Sequence, residues 1–248
     1  MAGHSKWANI KHRKGVVDAR RSKLFTKLVK EIMVAVKVGG DNPDANPRLR
    51  LAIQNARGAS VPKDNIERAI NKASGNSDQL YLDLTYEAYG PFGVAIYIEC
   101  TTDNQNRTVQ NIKTYLNKAG GSLSTNGSLE FIFDQMAVFR IAVPKQDQSE
   151  SLELGLIDAG AEDIEKSEEN WTVLGQKTDF GHLQRFFQEQ GLEPESAGLE
   201  RIPKVSKELT REEAAQIVKL LDNLENDDDI KAIYHNLEYR EEFEGLFE

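Results

Sequence analysis

The chain has 248 residues, 39% of them hydrophobic and 29% charged, with a formal net charge of −9. This is the composition of a globular, soluble protein long enough for two or three domains. No stretch approaches 18 uncharged apolar residues, which excludes a membrane span. The single cysteine, Cys100, excludes an intramolecular disulfide framework and a cysteine-based zinc site. The start lacks a signal-peptide apolar core and a Gly at position 2, so a cytoplasmic protein, or one of an organelle matrix, is expected.

The net charge hides an asymmetry. Residues 1–75 hold 16 Lys and Arg against 6 Asp and Glu, whereas the remainder holds 15 against 34. A basic module is thereby set to meet phosphates while the acidic remainder is held away from them.

The basic character is densest in residues 1–37. Lys6, Lys11, Arg13, Lys14, Arg20, Arg21, Lys23, Lys27 and Lys30 recur every few positions, and Asp18 and Glu31 are the only acids. His4, Trp7 and His12 are interleaved with them. Lys and Arg neutralise phosphates, and Trp or His stacks on an exposed base. Those nine cations are therefore the expected phosphate contacts, with Trp7 and His12 as stacking residues. Arg48, Arg50, Arg57 and Lys63 form a second tier. Residues 1–17 lack helical periodicity and read as an arm that orders on binding. A solvated tail, a transit peptide or attraction between the two oppositely charged halves are the plainer readings.

From Asp18 a helix is predicted, with Leu24, Phe25, Leu28, Ile32, Ala35 and Val36 on one face, ending at Gly39-Gly40. Asn46-Pro47 starts a second helix whose stripe is Leu49, Ala52, Ile53 and Ala56. Ser60-Val61-Pro62 introduces a third, with Ile66, Ala69, Ile70 and Ala73 inward. Helices two and three resemble a helix-turn-helix, in which the third would show Lys63, Asn65, Arg68, Asn71 and Lys72 to a groove. Solvated polar residues explain the same pattern.

Residues 76–85 read as a linker. Val94–Cys100 is a predicted strand, followed by a helix with Val109, Ile112, Tyr115 or Leu116, and Ala119, stopped at Gly120-Gly121. Leu129–Phe133 is a second strand. Thr210-Arg211-Glu212-Glu213 is a capping box ahead of Ala214, Ile217, Val218, Leu221 and Leu224, and Ile230–Leu237 closes the sheet. Residues 136–203 read strand, helix, strand, strand, helix, strand, which is a ferredoxin-like order. The strands are Val138–Val143, Ala161–Lys166, Trp171–Gly175 and Ser196–Ile202, with helices near Ser149–Ala159 and Phe180–Gln190. The expectation is an α+β protein of three domains: a basic arm and three-helix bundle over 1–75, a discontinuous α/β domain over 76–135 and 204–248, and an inserted acidic ferredoxin-like βαββαβ domain over 136–203. Phe139 and Trp171 on the inserted strands raise an RNA-recognition-motif possibility, opposed by Glu162, Asp163, Glu165, Glu168 and Glu169 beside them.

Several segments carry a resemblance. Met1-Ala2-Gly3-His4-Ser5-Lys6-Trp7-Ala8-Asn9-Ile10-Lys11-His12-Arg13-Lys14 resembles the opening of the YebC/PmpR family. So do Leu24–Leu28, Gly39–Pro43, Asn46–Arg50, Pro62–Ile70, Tyr86–Pro91, Thr102–Thr108 and Tyr234-His235-Asn236, and together these cover essentially the whole chain. The chain departs from the family's usual pattern at Ala88 and Phe92, where Gly is usual, and at Ser60-Val61, where Asn-Met is common. The resemblance implies a probable transcriptional regulator that binds DNA. It also implies relatives that act in translation: mitochondrial activators of a cytochrome oxidase subunit, and bacterial members linked to relief of ribosome stalling. The alternative function is thus a ribosome-associated translation factor binding ribosomal RNA through the arm. A protein-interaction scaffold and an unrecognised carboxylate-pair hydrolase are the remaining classes.

No catalytic motif is found, and a non-enzyme is expected. Asp179-Phe180-Gly181 lacks every companion of a kinase site and reads as a helix start. His4, His12, His182 and His235 form no zinc spacing, and Asp227-Asp228-Asp229 lacks the EF-hand pattern, so no metal and no cofactor is expected. The expected partners are nucleic acid, DNA or ribosomal RNA, and with the latter the ribosome, but no membrane. Nothing supplies a symmetric dimer for a palindromic site, so a monomer is favoured.

Overall fold

A computed structural model describes residues 18–75, 81–168, 170–243 and 245–246. The reading of residues 1–17 as an arm therefore lies outside the described residues, and so do Lys6, Trp7, Lys11, His12, Arg13 and Lys14. The architecture is α+β, with three N-terminal helices and two four-stranded antiparallel sheets. Contacts group it into two compact units, one within Met1–Lys27, Asp78–Asp134 and Arg201–Glu248, the other within Leu28–Ser77 and Gln135–Glu200. No helix among the described residues is long and apolar enough to cross a membrane.

The three helices are α1 (Asp18–Gly39), α2 (Pro47–Gly58) and α3 (Lys63–Ser74). The expected stripe of α2, Leu49, Ala52, Ile53 and Ala56, is buried throughout, as are Ile32, Ala35 and Val36 of α1. Leu24 departs from the expected face and is exposed. The Asn46 carboxamide ties the end of α1 to the start of α2. Its Oδ1 accepts the Leu49 N–H at 3.1 Å, and its Nδ2 donates to the carbonyls of Ala35 and Gly40 at 2.8 Å each. One buried side chain thus caps α2 and satisfies the end of α1.

The first sheet runs in the order β3-β1-β2-β8 from β1 (Leu82–Tyr89), β2 (Ala95–Thr102), β3 (Ser122–Leu123) and β8 (Ile230–His235). Two helices, α4 (Gln105–Ala119) and α7 (Arg211–Glu225), bring Ile112, Leu116, Ile217, Leu221 and Leu224 into one core with Ile96, Ile98 and Ile233. The capping box at Thr210 and Glu213 forms as the sequence predicts. Two local expectations are corrected. Part of the supposed linker is β1, whose LDLTYEAY alternation pairs with β2 from Leu82↔Thr102 to Tyr89↔Ala95. Residues 129–132 form turns rather than a strand, because the buried Glu87 carboxylate accepts the N–H groups of Gly127 and Leu129 and the Ser128 hydroxyl.

The second sheet runs β5-β6-β4-β7, from β4 (Phe133–Ala142), β5 (Ala161–Lys166), β6 (Asn170–Gln176) and β7 (Ser196–Pro203). With α5 (Ser149–Asp158) and α6 (Phe180–Glu189) this is the expected ferredoxin-like order. Phe139 stacks on Phe180 at 4.9 Å between centroids and meets Phe187 at 5.2 Å. The helices of the second unit are joined to this sheet through Asn55, whose amide pairs with both the N–H and the carbonyl of Ala197 at 2.8 Å each. Gly58 permits the approach, since a Cβ there would lie 1.8 Å from the Glu195 carbonyl oxygen.

Two non-glycine residues among those described have positive φ: Ser60 at 63° and Phe92 at 60°. Gly, and after it Asn, are the residues that tolerate this region best. Phe92→Gly is expected to stabilise the protein by about 0.5–1 kcal/mol, and Ser60→Asn by a few tenths, net of the lost chain entropy of Gly. Urea midpoints check both; a lower midpoint for Phe92→Gly means that the contacts of its exposed ring outweigh the backbone strain.

Candidate nucleic-acid interface

The structure distributes the sequence-predicted cations over two kinds of environment. Arg21 is exposed, with its guanidinium 5.4 Å from the centroid of the Phe25 ring. Arg57 and Lys63 are also exposed and flank the turn between α2 and α3, Lys63 facing Glu67 at 3.5 Å. Further along α3, Arg68, Asn71 and Lys72 are exposed, so α3 presents the polar face that the helix-turn-helix comparison requires. Arg68 is braced in place by the Asp64 carbonyl at 3.1 Å and Asn65 Oδ1 at 2.5 Å.

The other cations are engaged within the chain. Arg48 grips Glu31 through Nε and Nη2 at 3.0 and 2.9 Å and is half-buried. Arg50 closes the preceding loop on the carbonyls of Pro43 and Asp44. Lys23 donates to the main-chain and side-chain oxygens of Asn226, and Lys27 donates to the Glu225 carbonyl. Burial pushes the Lys27 ammonium below its ordinary value, and Glu225, Asp228 and Asp227 oppose that shift. Lys30 is half-buried on α1. Arg57 and Lys63 thus sit exposed on either side of one turn, and Arg48 and Arg50 hold the helices. Periodicity could not separate these groups, because the partners of Arg48 and Lys27 lie 17 and 198 residues away.

Several motif residues that look chemical are structural. In the Thr102–Thr108 segment, Asn104 caps α4 by accepting the Arg107 N–H. The Arg107 guanidinium meets the buried Asp229 carboxylate at 2.7–3.0 Å and Asp103 at 2.8 Å, and these bonds raise its pKa further above its ordinary value. Thr108 Oγ1 donates to Asp229 at 2.9 Å. Asp227 accepts from Asn111 and from the Tyr115 hydroxyl, whose pKa burial and Asp227 push upward. The triple-Asp turn is therefore a junction between α4, α7 and β8. Asp179 precedes α6 without a side-chain cap bond and faces His182 at 3.4 Å.

The two aromatics that would serve an RNA-recognition motif are unavailable. Phe139 and Trp171 are buried in the core beneath α5 and α6. The opposite face of the central strands carries Val138, Arg140, Thr172 and Leu174, with Arg140 locked to Glu200 at 2.7 and 3.1 Å. No aromatic platform faces outward on these two strands.

The opening motifs, the basic helices and the inserted ferredoxin-like sheet point the same way as the comparisons. Residues 5–76 match the TACO1/YebC protein N-terminal domain, and residues 81–237 match the TACO1/YebC second and third domain. The chain belongs to the TACO1/YebC family. A relative from Amoebophilus asiaticus is 48% identical over 96% of this chain and 98% of its own, and one from Geotalea uraniireducens is 42% identical over 98% of each; both are named probable transcriptional regulatory protein. The crystal structure of a conserved hypothetical protein from Aquifex aeolicus superposes with a TM-score of 0.81 at 36% identity, covering 94% of this chain and 96% of that one. Both of these relatives thus carry a regulatory name.

Proposed function

We propose that this protein is a nucleic-acid-binding regulator of gene expression that meets phosphates through its basic N-terminal segment. The observation that carries the reading is the segregation of charge, 16 cations against 6 acids in residues 1–75 and 15 against 34 beyond them. Counterion release makes such a segment a phosphate-binding surface, and the acidic remainder sets its orientation by repulsion. The regulatory names of the relatives support a DNA-binding transcriptional role, with α2 and α3 as the candidate groove-reading pair. Trp7, His4 and His12 among the cations favour a second reading, a translation factor on ribosomal RNA, because aromatic stacking suits unpaired bases. The common core of both is tested by titrating the full chain with a labelled duplex DNA and a labelled RNA across a salt series. Affinity that falls steeply and linearly in log–log form supports the reading, and no binding at low salt refutes it.

A further inference from the structure

The start of α1 is held by the carboxyl end of α7. Lys23 Nζ donates to the Asn226 carbonyl at 3.1 Å and to its Oδ1 at 2.7 Å, and Lys27 Nζ donates to the Glu225 carbonyl at 2.8 Å. A helix C-terminus concentrates negative potential, because its last carbonyls lack intrahelical partners and the negative pole of the helix dipole lies there. Two further groups at this turn have other tasks: Asp227 accepts from Asn111 and Tyr115, and Asp229 from Arg107 and Thr108. Glu225 and Asp228 are exposed at its rim. Two side chains that the sequence marks for phosphates are therefore already occupied by acceptors of the same kind. Lys27 is half-buried, so a phosphate reaches it only once this contact opens.

We propose that the 225–228 turn is an autoinhibitory latch: it occupies Lys23 and Lys27 in the free protein, and nucleic-acid phosphates compete with it for both ammonium groups. The proposal rests on the nucleic-acid reading above and adds to it an opening step. Opening withdraws affinity from weak, non-specific encounters and returns it only where enough phosphates are in place.

The test loosens the turn and keeps both lysines. In the full chain, Glu225→Gln, Asn226→Ala and Asp228→Asn are combined; position 226 has φ −74° and ψ −10°, which Ala adopts without strain. A charge-matched control, Glu208→Gln with Glu212→Gln, removes two exposed acids before and at the opposite end of α7. Binding of a labelled mixed-sequence RNA and of a duplex DNA of equal length is measured at one salt concentration. The latch variant is expected to bind about 3–10-fold tighter, the factor that one or two surface ion pairs supply, with the control unchanged. Faster amide exchange over residues 21–27 in the free variant accompanies the release. Equal or weaker binding by the latch variant overturns the latch, and so does equal tightening by the control. Absence of binding by the wild-type chain overturns the nucleic-acid reading itself and the latch with it.

Discussion

Replacing Arg13, Lys14, Arg20 and Arg21 together by Ala weakens nucleic-acid binding and flattens its log–log salt dependence by up to about 3–4, at roughly 0.7–0.9 per lost phosphate contact. These four lie in the densest part of the basic segment, and Arg21 is exposed at the start of α1. The slope is the informative quantity, since it counts phosphate contacts whatever the target sequence. An unchanged slope removes these residues from the interface. Arg48→Ala serves as the contrast. Its guanidinium is spent on Glu31, so the slope stays near wild type while the helical segment loses stability.

Asp229→Ala destabilises the unit built on the first sheet by about 2–4 kcal/mol. The carboxylate is buried and accepts from the Arg107 guanidinium and the Thr108 hydroxyl. Removing it leaves Thr108 buried without that partner and Arg107 with Asp103 alone as an ionic partner. The full cost of an orphaned buried charge is not reached, because the Arg107 side chain is 46% exposed and water takes over part of its solvation. The neighbouring Asp228→Asn, at an exposed position, changes stability by no more than about 0.5 kcal/mol. Denaturant midpoints of the two variants separate the structural aspartate from its neighbour; equal midpoints contradict the assignment of Asp229 as the keystone of this junction.

Much of the fold was legible in the sequence for identifiable reasons. The α2 stripe, the Thr210 capping box and the Gly120 stop are local signals, and a residue's own neighbours decide them. The ferredoxin-like order followed from the sequence of elements, since handedness and short connections leave few topologies. The start of β1 reads as linker because Asp83 and Thr85 alternate with its apolar residues, and further along it Glu87 is buried by the loop it organises. Residues 129–132 depart from expectation for the complementary reason: an apolar run that reads as a strand is held in turns by that same distant carboxylate.

The candidate site was legible as charge but not as geometry. Composition concentrates cations in residues 1–75, yet nothing local tells Arg57, exposed at the end of α2, from Arg48, which is committed to Glu31. Lys23 and Lys27 illustrate the limit best, because their acceptors belong to a helix end some 200 residues later, a pairing only the folded chain creates. The Thr102–Thr108 segment shows the same limit. Its Asn104 serves a helix cap, and its Arg107 and Thr108 serve a buried carboxylate, partners that lie up to 122 residues away.

The central claim is that residues 1–75 are the surface that touches nucleic acid. Ultraviolet crosslinking in living cells, followed by sequencing of the attached RNA and DNA and by mapping of the crosslinked peptides, tests it most directly. The prediction is that crosslinked peptides fall within residues 1–75, with the attached sequences deciding between promoter DNA and a discrete ribosomal RNA position. Crosslinks concentrated on the acidic strands and helices of residues 136–203, with residues 1–75 unmarked, would contradict it.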